Sequence, residues 1–182
     1  MKDTTKNNYE YLLLSLQHFH SIVSIAFPMV VTKVGKNTKQ TIAADQEGSR
    51  VFIPTKLFVE CEKTALVAQN AVEKLISGDL KNQVQSCWTE VSSLLQRVKQ
   101  AGRQGDISSI NRAFVLLCLT SGVLQHYVSS KTEIAVPPTP QFGKVEPLEK
   151  LLQLCGRSEL QSLSVEKILD ISLAECRNAL NE

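Results

Sequence analysis

The segment VTKVGKNT, residues 31–38, contains a Gly-Lys pair with a nearby Thr, as a phosphate-binding loop does. Such a loop needs the pattern Gly-x-x-x-x-Gly-Lys-Ser/Thr, because its backbone N–H groups wrap the phosphates and the hydroxyl after Lys reaches the magnesium ion. Here Val30 occupies the first glycine position, and Asn37 separates Lys36 from Thr38. We therefore expect no nucleotide site in this segment.

The three histidines lack the spacing of metal ligands. His18 and His20 are two residues apart, which on a helix places their side chains about 200° from each other. His126 has no second ligand at a suitable spacing, and a hydrogen-bonded role is the commoner one for such a histidine. The sequence therefore predicts no metal and no cofactor.

The cysteines follow the pattern of free, buried thiols. The closest pair, Cys155 and Cys176, is separated by 21 positions, which favours neither a disulfide framework nor a zinc site. Cys118 and His126 lie about 12 Å apart along one predicted helix, too far for proton transfer between them. We therefore expect no enzyme activity from a local motif. All five lie on or beside apolar stripes: Cys61, Cys87, Cys118, Cys155 and Cys176.

The elements that carry these residues are predicted to be helices of a single domain covering residues 1–182. Residues 1–8 are predicted as a tail. The first helix runs from Tyr9 to Phe27 with two apolar faces, and we expect it to stop there because Pro28 cannot donate a helical hydrogen bond. The fold class is therefore all-α, a bundle of five or six helices.

The third and fourth helices are expected at the centre of the bundle. The third, starting at Asp79, carries one apolar stripe with polar residues almost everywhere else. The fourth, from Asp106 to about Ser129, is apolar on every side, and Gly122 in its middle predicts a close approach by a neighbouring helix. The stripe of the third helix consists of Leu80, Val84, Cys87, Trp88, Val91, Leu94, Leu95 and Val98.

The other segments are assigned from turn and cap residues. Residues 29–54 predict a small irregular or β-hairpin insert, and Thr55 begins a second helix that ends near Ile76. Residues 130–147 form a proline-rich crossover. A fifth helix follows from Pro147 to about Gly156, and Ser164 caps a sixth.

Composition excludes several classes of function. The 20 basic and 18 acidic residues give a net charge of +2, so no overall field draws the molecule to DNA or to anionic lipid. Uninterrupted runs of 18 apolar residues are missing, so we expect no membrane span. Cysteine usage favours an intracellular location, in the cytoplasm or the nucleus.

The favoured function is a non-enzymatic helical module for protein–protein interaction, such as an adaptor, a scaffold or a subunit of a larger assembly. Apolar residues at the end of the insert, at the start of the second helix and in the proline-rich crossover are the predicted contacts with a protein partner. The oligomeric state stays open. These contacts are Phe52, Ile53, Leu57, Pro137, Pro138, Pro140 and Phe142.

Two further functions are compatible with the sequence. The alternative is nucleic-acid binding by the basic insert at residues 33–56, with phosphate contacts from Lys33, Lys36, Lys39 and Arg50. The third is an enzyme whose site is assembled from residues far apart in the sequence. The motifs at residues 148–152 (Leu-x-x-Leu-Leu) and 137–140 (Pro-x-x-Pro) fit peptide docking as well as packing, and packing is favoured.

Overall fold

The computed structural model describes residues 3–36, 55–104, 107–136 and 145–181, with side chains for all of them except 25–36, 55, 57, 101–104, 107–109 and 111. In this part of the chain every regular element is a helix, which confirms the predicted all-α class. The helices are α1 (Asp3–Lys36), α2 (Thr55–Glu73), α3 (Asp79–Gln104), α4 (Ile107–Thr132), α5 (Leu148–Leu154) and α6 (Val165–Leu180), with a short 3-10 helix at Ser158–Ser162.

Helix α4 is the centre of the bundle, as its all-round apolar composition predicts. It packs against α1, α3, α5 and α6, whereas α2 packs against α1 and α3 at the edge. The segment Arg112–Thr132 is long and apolar enough to cross a membrane by length and composition, and 78% of the window tested is buried inside the bundle. Burial against four helices accounts for this composition.

The core is aliphatic with one aromatic contact at its middle. Every residue of the predicted α3 stripe from Val84 to Val98 is buried, and Leu80 is half-buried. Trp88 of α3 meets Phe19 of α1 edge to face, with ring centroids 5.1 Å apart. This contact fixes the face that α1 turns toward α3 and α4.

The predicted end of the first helix is wrong. Helix α1 continues through Pro28 to Lys36, so residues 29–36 of the predicted insert are helical. A proline removes one hydrogen bond and crowds one carbonyl, at a cost of about 3 kcal/mol, but the residues after it still form their own helical hydrogen bonds. Residues 37–54, the remainder of the predicted insert, lie outside the described part of the chain.

The predicted tail at residues 1–8 is wrong from Asp3 onward, because α1 begins there rather than at Tyr9. The remaining helix boundaries differ by a few residues or agree. Helix α2 ends at Glu73 rather than near Ile76, and α4 ends at Thr132 rather than Ser129. Glu133, with φ 57, ends α4 in the left-handed conformation that often follows a helix. Ser164 caps α6 as predicted, since its hydroxyl accepts a hydrogen bond from the Lys167 N–H at 3.2 Å.

Candidate functional site

A row of polar side chains lies between α1 and α4. The amide of Gln125 donates from Nε2 to Gln17 Oε1 at 2.6 Å. One turn further along, His20 Nδ1 lies 2.9 Å from Ser121 Oγ. Gln17, Ser121 and Gln125 are buried, and burying such groups is favourable only when they are hydrogen-bonded.

The partners of His20 determine its tautomer. Ser121 donates its hydroxyl proton to the Cys118 carbonyl at 3.3 Å, so it accepts from Nδ1–H of His20. The other nitrogen, Nε2, then accepts from Ser24 Oγ at 3.3 Å. Burial, and to a smaller extent the nearby His126, lowers the pKa of His20 to about 4. His20 is therefore a neutral imidazole at pH 7.

Two thiols extend this chain of hydrogen bonds. Cys118 Sγ lies 3.6 Å from Ser24 Oγ, so one hydroxyl connects the thiol to the imidazole. A hydrogen bond with Cys155 lowers the pKa of Cys118, and the same contact raises the pKa of Cys155. Cys118, Ser24 and His20 therefore form one chain of hydrogen bonds, in which the low pKa of His20 makes the imidazole a weak acceptor for the thiol proton.

A partly open cavity of about 230 Å³ lies beside this row, between α1, α4, α5 and the residues that precede α5. Gln125 lines it, and its Oε1 atom is buried without a hydrogen-bond partner. His126 also lines it and bonds through Nε2 to the Glu146 carbonyl at 3.0 Å, which confirms the hydrogen-bonded role predicted for this histidine. We call this space the α1–α4–α5 cavity. Its lining residues are Gln17, His20, Ser21, Ser24, Gly122, Gln125, His126, Val145, Glu146, Leu151 and Leu154.

A larger groove of about 660 Å³ lies between α3, α4 and α6. Two polar contacts cross it, because Lys131 forms an ion pair with Glu166 and Tyr127 hydrogen-bonds to Gln83. No set of three His, Cys, Asp or Glu side chains within the described residues is arranged to hold a metal ion.

The outer face of α2 is the most exposed apolar surface on a helix of the described chain. Val59 is 38% exposed, Leu66 is 66% exposed and Val67 is 42% exposed. A groove of about 240 Å³ runs beside them between α2 and α3, with Ala65, Leu66 and Leu95 among its walls. We call Val59, Leu66 and Val67 the α2 face.

The contacts predicted from the sequence fall where side chains are not described. Phe52, Ile53, Pro137, Pro138, Pro140, Phe142, Lys39 and Arg50 lie outside the described residues, and for Lys33, Lys36 and Leu57 only the helical backbone is described. Their roles in binding a protein or a nucleic acid stay predictions. Leu151 and Leu152 of the Leu-x-x-Leu-Leu motif are buried, so they pack in the core.

Sequence reasoning missed the grouping of His20 with Cys118 and the orphan acceptor on Gln125. The polar residues themselves were visible, as Gln17 and His20 interrupt the apolar run of α1 and Gln125 and His126 follow the apolar run of α4. Comparisons of the chain with protein families, with curated proteins and with solved structures return no match.

Proposed function

We propose that the protein is a non-enzymatic helical interaction module that binds an amphipathic helix of a partner protein along the α2 face. The observation that carries the proposal is the exposure of Leu66, at 66%, in the middle of a helix whose opposite side is buried in the bundle. The cost of leaving a large apolar side chain in water is not offset by any contact in the described fold. A contact with another molecule would offset it.

The spacing of the α2 face favours a helical partner. Val59, Leu66 and Val67 are separated by seven and eight residues, so they project from one side of α2 two turns apart. Helices pair through apolar positions repeated at this spacing, with each side chain entering a gap on the other helix. Helix α2, at 19 residues, is long enough to present about five turns to such a partner.

The charges beside the α2 face are balanced, so the partner does not need a strong charge of one sign. Glu60 pairs with Lys63 at 3.6 Å, and Glu62 pairs with Lys99 at 3.4 Å. Because these neighbouring charges are balanced in pairs, they give no strong field of one sign. The contact is therefore apolar in origin, and salt is expected to weaken it little.

The test is a pull-down from an extract of the source cells with three forms of the chain as bait. The proteins that each form captures are then compared. The wild type is expected to retain a partner at high salt, Leu66→Glu to lose it, and Leu163→Glu to keep it. Leu163 is the matched control because it is an exposed leucine, at 37%, beside α6 rather than α2. A synthetic peptide of the partner's contacting helix should then bind the wild type and fail to bind Leu66→Glu.

The same measurements can overturn the proposal. Retention of the partner by Leu66→Glu, or its loss from Leu163→Glu as well, would remove the α2 face from the contact. Light scattering of the purified chain separates a second outcome. A dimer that Leu66→Glu converts to a monomer would show that this face pairs two copies of the chain instead of binding another protein.

A further inference from the structure

Two of the five thiols, Cys118 of α4 and Cys155 at the end of α5, are in contact between these helices. The Cys155 thiol donates a hydrogen bond to the Cys118 sulfur, which lowers the pKa of Cys118 and raises the pKa of Cys155. Both are free thiols, with exposed fractions of 0% for Cys118 and 7% for Cys155. Two free thiols in contact are the starting arrangement for a disulfide.

The register of α5 against α4 brings the two thiols together independently of their hydrogen bond. His126 of α4 bonds to the Glu146 carbonyl, just before α5, at 3.0 Å. One turn earlier on α4, a Cβ atom at Gly122 would lie 2.5 Å from Leu151 Cδ2. The two segments therefore run antiparallel, and one further turn along each of them reaches the two cysteines.

The missing side chain at Gly122 allows α5 to lie close to α4. A disulfide needs sulfur atoms about 2.05 Å apart and Cα atoms usually about 4.4–6.8 Å apart. Because a Cβ atom at Gly122 would overlap Leu151, the helices are closer at this turn than ordinary side chains allow. The thiols lie on the adjacent turn, so the backbone needs to move little for the sulfur atoms to bond.

Helix α5 is short enough to expose Cys155 by local opening. It has seven residues, and no side chain caps its N-terminus. It packs mainly against α4 and the 3-10 helix. A short helix with few packed neighbours opens at a lower free energy than the whole bundle. Opening brings the Cys155 thiol into water, where its pKa returns to the ordinary range of a thiol and a small oxidant reaches it.

We propose that Cys118 and Cys155 form a reversible disulfide when the protein meets a peroxide. In the opened state the Cys155 thiol attacks one oxygen of hydrogen peroxide, which gives a sulfenic acid on Cys155 and one water. When α5 returns to α4, the Cys118 sulfur attacks the Cys155 sulfur. The sulfenic oxygen then leaves as a second water with the thiol proton of Cys118. Peroxide thus accepts two electrons from the two thiols, and the disulfide fastens α5 to α4 independently of the α2 face.

Cys87 of α3 and Cys176 of α6 are a matched control pair. They are also close, because Cys176 adds to the effect of burial in raising the pKa of Cys87. Burial raises the pKa of Cys176 to about 11. Both are fully buried on helices of 26 and 16 residues, so no opening of a short helix exposes either thiol. We therefore expect no disulfide between Cys87 and Cys176 under the same treatment.

The test treats the full folded chain with hydrogen peroxide at pH 7, removes the peroxide, alkylates free thiols in denaturant and analyses tryptic peptides by mass spectrometry. We expect peptides 113–131 and 151–157 to appear linked, two hydrogen masses lighter than their sum. Alkylated Cys118 and alkylated Cys155 are expected to decrease in parallel and to return after treatment with dithiothreitol. Alkylation of Cys61 is expected to be unchanged.

Hydrogen exchange measures the effect of the disulfide on α5. Amide exchange in residues 148–155 is expected to slow by about tenfold or more in the oxidised protein, because the cross-link restricts the opened state. In the variant Cys155→Ser, peroxide is expected to leave this exchange unchanged. Equal exchange in the oxidised and reduced wild type would show that the disulfide does not fasten α5.

The peptide analysis can also overturn the proposal. A sulfinic acid on Cys118 or Cys155 without a linked peptide would show that the two sulfur atoms do not meet in the folded chain. A link between Cys87 and Cys176 in equal yield would show that opening of α5 does not select the pair. The absence of any reaction at Cys155 would show that peroxide does not reach it.

Discussion

Two regions of the molecule place polar and apolar side chains in opposite ways. One is the interface between α1 and α4, and the other is the α2 face. The interior contact buries Gln17, Ser121 and Gln125, although apolar residues would pack there without hydrogen-bond requirements. The surface of α2 instead leaves Leu66 and Val67 in contact with water. Each region departs from the arrangement that gives the most stable fold.

Buried polar groups and exposed apolar groups have different consequences for the bundle. Buried polar groups fix a particular geometry, because each one needs its own partner. Exposed apolar groups on a helix provide surface that only a second molecule can bury. The inner region therefore fixes how α1 packs against α4, and the outer region is the surface that we propose for binding a protein.

The largest expected contrast is between two leucines changed in the same way. Leu16 is fully buried on α1. The variant Leu16→Ala is expected to lower the unfolding free energy of the protein by about 2–5 kcal/mol, through lost burial and the cavity left behind. Leu66→Ala is expected to change it by less than about 0.5 kcal/mol. Urea denaturation followed by circular dichroism measures both, and similar losses would break the distinction between the regions.

A pH titration of stability tests the half-buried imidazole of His20. The unfolded chain binds a proton at His20 below about pH 6.5, whereas the folded chain does so only near pH 4. The unfolded state therefore binds more protons between these values, and stability is lost as pH falls through this window. At about 1.4 kcal/mol per unit the contribution of His20 is roughly 3 kcal/mol.

The variant His20→Gln isolates this contribution. His126 also has a lowered pKa and contributes in the same direction, so the comparison must be made between the variant and the wild type. Urea denaturation at pH 7 and at pH 4.5 is expected to give a smaller loss of stability for His20→Gln. Equal losses in both proteins would mean that His20 is not buried as a neutral ring.

Two glycines give a smaller contrast. An Ala side chain at Gly122 would overlap Leu151 and His20, whereas one at Gly78 would meet nothing within 4 Å. Overpacking costs about 1–3 kcal/mol and the better helix propensity of Ala recovers about 1, so Gly122→Ala is expected to lose about 1 kcal/mol. Gly78→Ala is expected to be neutral or slightly stabilising in thermal denaturation. A neutral Gly122→Ala would show that α5 can move away from α4.

Sequence periodicity predicted the elements better than their contacts. The α3 stripe and the all-round apolar α4 identified the core, because burial imposes a spacing that is visible in one segment alone. The close approach at Gly122 was also predicted, although side chains of α1 and α5 make it rather than a neighbouring backbone. The predicted end of α1 was wrong. The free-energy cost of Pro28 within a helix does not by itself decide whether the helix continues.

The polar site was not predictable from spacing. His20 and Ser121 are 101 residues apart, and Ser24 and Cys118 are 94 apart, so only the packing of α1 against α4 joins them. A helical pattern shows that a residue faces inward, and it does not show which residue of another helix it meets. The exposure of Leu66 was not predicted for the same reason. Which side of α2 is covered by another helix depends on tertiary packing.

The proposal requires that the α2 face is exposed and does not stabilise the fold, and the most direct test of this requirement is the unfolding free energy of the double variant Leu66→Glu/Val67→Glu. We expect it to lie within about 0.5 kcal/mol of the wild type in urea denaturation, as for other exposed substitutions, while the helical circular dichroism signal is unchanged. A loss of more than about 2 kcal/mol would contradict the claim, because it would show that these side chains are buried within the folded chain.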